Sequence, residues 1–218
     1  LAITVVNPVS LGIIKPPSEY GADIVVGDAQ VFGNPLSYGG PYLGFMAVKE
    51  ALAWKMPGRI TGMTKDKNGK DSFVLTLQSR EQHIKREKAS SNICSNQALN
   101  ALAACVYMSA LGKYGLKELG VKNISACAYL MGEIAKIRGY SLPHARSAHF
   151  NEFVLKSDLP VDKVLKHMVE NNIFAGIKLE RFFPGFEDSI LVTVTETKSK
   201  QDMDKFAGCL REVSQIGG

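Results

Sequence analysis

Gly21-Ala-Asp-Ile-Val-Val-Gly-Asp-Ala-Gln30-Val-Phe-Gly-Asn-Pro-Leu-Ser-Tyr-Gly-Gly-Pro-Tyr-Leu-Gly-Phe45 holds three signals in one short run. Asp23-Ile-Val-Val26 is β-branched and apolar, which predicts a strand. Gly33 to Gly44 has four glycines in twelve residues, which predicts a turn that can approach a ligand or another backbone closely. Gly44-Phe-Met-Ala-Val48 then predicts a further strand. The glycine spacing matches neither phosphate-binding pattern, G-x-x-x-x-G-K-[ST] or G-x-G-x-x-G. The turn is either a tight connection between strands or a loop beside a cofactor or a subunit contact.

The same style continues on both sides. Ala2-Ile-Thr-Val-Val6 predicts a strand buried on both faces, and Lys15-Pro-Pro-Ser18 breaks the chain. Short strands separated by loops and partial helices predict an α/β fold with a mostly parallel sheet. Pro57 to Gly69 reads as an exposed, mobile loop or hairpin. Ser79 with Gln82 can form a capping box, which predicts a helix start within the charged run from Gln78 to Ser91. Ser95 to Leu111 is apolar around most of its girth and predicts a buried helix stopped by Gly112. A second helix is expected from about Val121 to Arg138, with Ile124, Cys127, Met131, Ile134 and Ala135 inward.

The tail reads as a small α/β domain. Glu152–Lys156 and Ser189–Val194 predict strands. Pro160 opens a helix with Val161, Val164, Leu165, Met168 and Val169 inward. Ser199 and Asp202 cap a last helix that faces Met203, Phe206, Ala207, Leu210 and Val213 to the core. The expected division is 1–114 for part of a large domain, 115–147 for a connecting helix and linker, and 148–218 for the small domain.

Composition narrows the class. At 218 residues with 45% hydrophobic and 22% charged residues, the chain is ordinary for a globular protein. The net charge of +5 is spread without a dense basic, aromatic-rich block, so nucleic acid is not an expected partner. No apolar run approaches the ~18 residues of a membrane span. Four cysteines lie far apart with no C-x-x-C pair, so no metal site is expected. Cys105 and Cys127 fall in apolar helical patterns and read as reduced core thiols of a cytoplasmic protein. The chain opens at Leu1 directly into a strand, as a piece of a longer protein would.

Arg80, His83, Lys85, Arg86 and Lys88 are candidates for an anion path, since Arg and Lys suit carboxylate and phosphate. They fit a solvated helix face equally well. Ser90, Ser91 and Asn92 could donate to an anion at the next helix start, or simply cap it. Cys94 beside them is either a thiol of lowered pKa or a packed one.

Several motifs carry a resemblance to a known family. Gly21-Ala-Asp-Ile-Val-Val-Gly-Asp28, Gly39-Gly-Pro-Tyr-Leu-Gly-Phe45, Met56-Pro-Gly-Arg-Ile60, the run from Leu77 to Leu99, and Val194-Thr-Glu196 closely resemble the glycine cleavage system P-protein, glycine dehydrogenase (decarboxylating). Within that family they resemble the C-terminal half of subunit 1 of the two-subunit bacterial form. The resemblance implies part of a fold-type I pyridoxal-phosphate (PLP) enzyme: an incomplete large-domain sheet followed by a small α/β domain. It implies an oxidoreductase complex, a heterotetramer that decarboxylates glycine and passes the aminomethyl group to the lipoyl group of H-protein. PLP is the electron sink.

Subunit 2 of the family carries the PLP lysine in a His-Lys-Thr-Phe-like motif. Matching its Phe to Phe32 puts Gln30 at the lysine, and an amide cannot form a Schiff base. Asn7, in Val-Val-Asn7-Pro8, stands where such folds hold an Asp against the pyridine nitrogen. The resemblance therefore implies that subunit 2 binds PLP, that this chain has no catalytic residue of its own and completes a shared site, and that it is inactive alone. The partners implied are subunit 2 and lipoylated H-protein, with a homodimer possible for the piece alone. A scaffold that only stabilises subunit 2 or recruits H-protein is the alternative.

Overall fold

The computed structural model describes residues 1–89 and 95–216, apart from the side chains of Arg80 and Ile216. β1 (Ile3–Val6) and β2 (Ile24–Asp28) lie parallel, with Val6 opposite Gly27. β3 (Gly44–Val48) pairs antiparallel to β2, with Asp28 opposite Gly44. The expected mostly parallel sheet is thus mixed. Between β2 and β3 the only helical element is a short 3-10 turn, Ser37–Gly39. A parallel return needs a crossover of a dozen or more residues, usually a helix, so here the chain reverses instead. β1 also departs from expectation, because Ile3 and Val5 are exposed.

β4 (Ile60–Lys65) and β5 (Asp71–Thr76) form the hairpin that the polar, glycine-rich stretch allowed. Its tip is held by Asp66 Oδ1, which accepts from the amides of Asn68 and Lys70 at 2.7 and 2.9 Å. In the charged run, α1 (Gln82–Lys85) is a single turn. The expected capping box is not formed. Ser79 lies within a preceding 3-10 turn, Gln78–Arg80, and the residue at the helix start is Glu81, so the Ser79 hydroxyl is not at the cap.

α2 (Ala98–Ile134) is interrupted at Gly112, whose φ of 61° and ψ of −173° leave the helical region as the stop signal required. The segment 98–111 is not the buried helix expected. Ala104 is buried, but Leu99, Leu102, Cys105 and Val106 are exposed. Its apolar stripes are largely uncovered within this unit. Gly112 ends the first of two compact units, 1–112, and the second is 113–218.

In the second unit, β6 (Tyr140–Ser141), β7 (Glu152–Ser157), β8 (Ile177–Lys178) and β9 (Ser189–Thr193) build an antiparallel sheet in the order β6-β7-β9-β8. α3 (Val161–Glu170) buries Val161, Val164 and Met168, while Val169, expected inward, is exposed. α4 (Lys200–Ile216) buries Met203, Phe206, Ala207, Leu210 and Val213 as its period predicts. The segment 113–134 adds Ala126, Cys127, Leu130 and Ile134 to the same core. Its inner face is rotated from the expected one, since Ile124 and Ala135 are exposed.

Candidate functional site

Two candidate residues stand at the carboxyl ends of the parallel pair β1 and β2. Asn7 follows the last residue of β1, and Gln30 lies two residues past β2. In parallel α/β sheets this edge is where ligands collect.

Asn7 is occupied locally. Its Oδ1 accepts from the Val9 amide at 3.1 Å and caps the 3-10 turn Pro8–Gly12, and its carbonyl accepts from Ser10 Oγ at 2.7 Å. Pro8 supplies the fixed φ that suits a first helical position. Gln30 is half-buried, and its Nε2 donates to the Asn34 carbonyl at 2.6 Å. The Gln30 amide donates to Asp28 Oδ1 at 2.8 Å, an Asx-type turn.

The network spreads from there. Asp28 Oδ1 also accepts from the Leu43 amide at 3.4 Å, across the mouth of the loop. Buried Asn34 donates through Nδ2 to the Asn100 carbonyl at 3.3 Å. Asn100 Nδ2 donates to the carbonyls of Pro41 and Tyr42 at 2.9 and 3.2 Å. Phe32 is buried, with its ring 6.2 Å from Tyr107. Asp28, Asn34 and Asn100 were not singled out from the sequence. Asp28 two residues before Gln30 is a recognisable Asx-turn signal, and Asn100 is a polar residue within an apolar helix.

The cationic candidates occupy a different stretch. His83, Lys85, Arg86 and Lys88 are exposed on α1 and the 3-10 turn Arg86–Lys88 after it. Among the described residues none of the four forms an ion pair with an acidic side chain. No hydrogen bond among those residues joins them to Asn7 or Gln30. Arg86 has a φ of 51°, uncommon for a residue with a Cβ. Glu81 at the head of α1 is buried, a feature the charge pattern did not single out. The side chain of Arg80, and Ser90, Ser91, Asn92 and Cys94 entirely, lie outside the described residues.

Elsewhere, Asp23 pairs with Lys49 at 2.6 Å, and this hydrogen bond is the main reason its carboxyl sits below the usual range. Among the described residues no group of three His, Cys, Asp or Glu could hold a metal ion, and no helix is long and apolar enough to cross a membrane.

A family model described as glycine cleavage system P-protein matches residues 1–210. The probable glycine dehydrogenase (decarboxylating) subunit 1 of Desulfitobacterium hafniense is 51% identical over 213 residues, 98% of this chain and 48% of that protein. The corresponding protein of Chlorobium luteolum is also 51% identical, over 214 residues, covering 98% of this chain and 47% of that protein. The chain spans about half the length of the curated relatives it matches. A crystal structure of an inhibitor-bound glycine decarboxylase (P-protein) of the glycine cleavage system superposes with a TM-score of 0.88 at 37% identity, over 97% of this chain and 48% of that one. A NifS-like protein from Rickettsia africae shares the fold at 14% identity, with a TM-score of 0.61 over 98% of this chain and 53% of that one. The α/β fold of type I PLP enzymes, expected from the sequence, is the fold of this chain.

Proposed function

We propose that this chain, which belongs to the glycine cleavage system P-protein family, forms part of subunit 1 of glycine dehydrogenase (decarboxylating) and completes an active site whose PLP lysine lies on subunit 2. The complex decarboxylates glycine and transfers the aminomethyl group to the lipoyl group of H-protein, in the cytoplasm.

One observation carries this reading: Gln30, which the family resemblance matches to the lysine, has no nucleophilic amine, and its Nε2 is bonded to the Asn34 carbonyl. Asn7 is neutral, and its Oδ1 already accepts from Val9. The residues present therefore do not fit a covalently held PLP. What this half offers is a loop and a cationic segment. Arg80, His83, Lys85, Arg86 and Lys88, with Ser91 and Asn92 beyond them, are assigned to the path of the glycine carboxylate, the cofactor phosphate or the acidic carrier.

Absorbance tests the first point. Intact subunit 1 mixed with PLP and dialysed should retain no band near ~420 nm, whereas subunit 2 should retain one. A borohydride-reducible adduct on one lysine of subunit 1 would overturn the assignment.

The exposure of His83, Lys85, Arg86 and Lys88 favours a second reading, in which the chain is a scaffold that stabilises subunit 2 or recruits H-protein. Substituting Arg80 or His83 in the reconstituted complex separates the two. Loss of turnover with assembly intact supports the shared site. Unchanged assembly and turnover reject it.

A further inference from the structure

The tip of the β4–β5 hairpin carries a reactive dipeptide. Of the asparagines in the chain, Asn68 alone is followed by glycine, in Asp66-Lys-Asn-Gly-Lys70. Asn7 and Asn34 precede prolines, which have no N–H, and Asn123 precedes the branched Ile124. An asparagine side-chain amide is open to attack by the main-chain nitrogen of the next residue. Glycine shields that nitrogen least, because it has no Cβ. Residues 66–70 are exposed, so water reaches the reacting atoms.

The same tip holds that nitrogen back. Three successive amides, those of Asn68, Gly69 and Lys70, all donate to Asp66. Asn68 and Lys70 donate to its Oδ1 at 2.7 and 2.9 Å, and Gly69 donates to its main-chain carbonyl at 3.0 Å. The Asp66 amide closes the turn on the Lys70 carbonyl at 2.8 Å. Gly69 has a φ of 77°, which glycine adopts freely, so the turn calls for the very residue that leaves Asn68 open to attack. While the turn is closed, the Gly69 N–H is a bonded donor. Its nitrogen becomes a nucleophile once the turn opens locally and the N–H is released.

We infer that Asn68 is a site of spontaneous modification through a cyclic imide, and that Asp66 sets its rate by holding the turn closed. The Gly69 nitrogen gives its proton to hydroxide and attacks Asn68 Cγ. The Cγ–Nδ2 bond breaks, and Nδ2 leaves as ammonia with a proton from water. One water then opens the ring at either carbonyl, leaving an aspartyl or an isoaspartyl residue. The balance is one water consumed and one ammonia released, with nothing oxidised or reduced. Either product puts a negative charge between Lys67 and Lys70, and the isoaspartyl product also lengthens the main chain of the tip by a methylene. No partner or cofactor enters the reaction, so it stands apart from the proposed activity.

The test holds intact subunit 1 folded at mildly alkaline pH and compares the masses of chymotryptic peptides over the tip with a zero-time sample. Exchange of the side-chain NH2 for OH reads the conversion, and enzymatic carboxyl methylation reads the isoaspartyl share. Asn68 should convert ahead of every other asparagine, yet at least about tenfold more slowly than in the same chain unfolded in urea. Asp66→Ala removes Oδ1 and leaves the main-chain carbonyl, and it should convert Asn68 about tenfold faster than folded wild type. Asp66→Asn keeps the accepting oxygen and should stay close to wild type. An Asn68 still intact after other asparagines have reacted overturns the site. Equal rates in folded and unfolded wild type overturn the role of Asp66, a comparison that needs no variant to fold. Asp66→Ala reacting at the wild-type rate overturns it as well.

Discussion

A Cβ on Gly27 would lie 2.4 Å from the carbonyl oxygen of Val6 and 2.7 Å from the Phe45 ring. Gly27 is opposed by Val6 on one side and Phe45 on the other, so the centre of the sheet closes only around a residue without a side chain. The Val6 oxygen is backbone and cannot rotate away. Gly27→Ala should therefore lower stability by about 1–3 kcal/mol, the cost of forced overpacking. The single tryptophan, Trp54, lies in the same unit and gives the probe: its fluorescence midpoint in urea should fall while the slope is retained. An unchanged midpoint would mean that β1 and β2 separate at no cost.

Asn123 is almost fully buried and donates through Nδ2 to the Leu119 carbonyl at 2.9 Å and to Glu196 Oε2 at 2.8 Å. Asn123→Leu removes the donor and leaves the Glu196 carboxylate without that bond, for an expected loss of about 1–3 kcal/mol. Asn123→Asp puts two carboxylates together. Repulsion raises their folded pKa values above the unfolded ones, so the variant's deficit should be greatest near neutral pH and should shrink as pH falls and one carboxylate takes a proton. Thermal unfolding followed by circular dichroism at pH 4.5 and pH 8 checks the sign. A deficit that grows towards low pH would reject the pairing.

The second unit was legible where one apolar stripe met a cap. α4 carries a single stripe from Met203 to Val213 and a Ser199–Asp202 start, so its period and its boundary agreed. The segment 113–135 has two stripes, one through Cys127, Leu130 and Ile134 and one through Ile124, Met131 and Ala135. Periodicity alone could not choose between them, and the partly wrong face was expected inward. In the segment 98–111 the sequence reported apolarity, but apolarity does not say whether a covering layer lies in the same chain. The candidate site divides in the same way. The Asp28–Gln30 turn joins residues two positions apart and has a local signature. The Asn34–Asn100 bond joins residues 66 positions apart and has no local signature.

Ser199 Oγ accepts from the Asp202 amide at 3.1 Å, while Asp202 Oδ2 accepts from the Ser199 amide at 2.8 Å and its hydroxyl at 2.7 Å. This reciprocal cap sets the start of α4, and Ser199→Ala should cost about 1 kcal/mol at neutral pH. The hydrogen bond from Ser199 is the main reason the Asp202 carboxyl sits below its usual range. A depressed folded pKa stabilises above the unfolded value, about 3.9, and that contribution is lost as pH falls through the folded pKa. The difference between wild type and Ser199→Ala should accordingly narrow below about pH 4. A constant difference down to pH 2 would detach the cap from Asp202.

Cys127 and Cys209 are buried whereas Cys105 is exposed, which corrects the expectation that Cys105 is a core thiol. Burial, reinforced by the charge of Glu152, pushes the Cys127 thiol up to about 11. Burial likewise raises Cys209. At pH 8 an ordinary thiol of pKa about 8.5 is roughly a quarter thiolate, and one at about 11 is roughly a thousandth. Alkylation mapped by peptide mass should therefore modify Cys105 in the folded chain and leave Cys127 at least about a hundredfold slower than in urea. Linkage gives a second sign. Since the folded thiol keeps its proton while the unfolded one loses it, Cys127 lowers stability as pH rises from about 9 towards about 11, and Cys127→Ala should flatten that part of the pH profile. Rapid labelling of Cys127 under native conditions would show that the core around Leu130 and Ile134 opens far more readily than its burial implies.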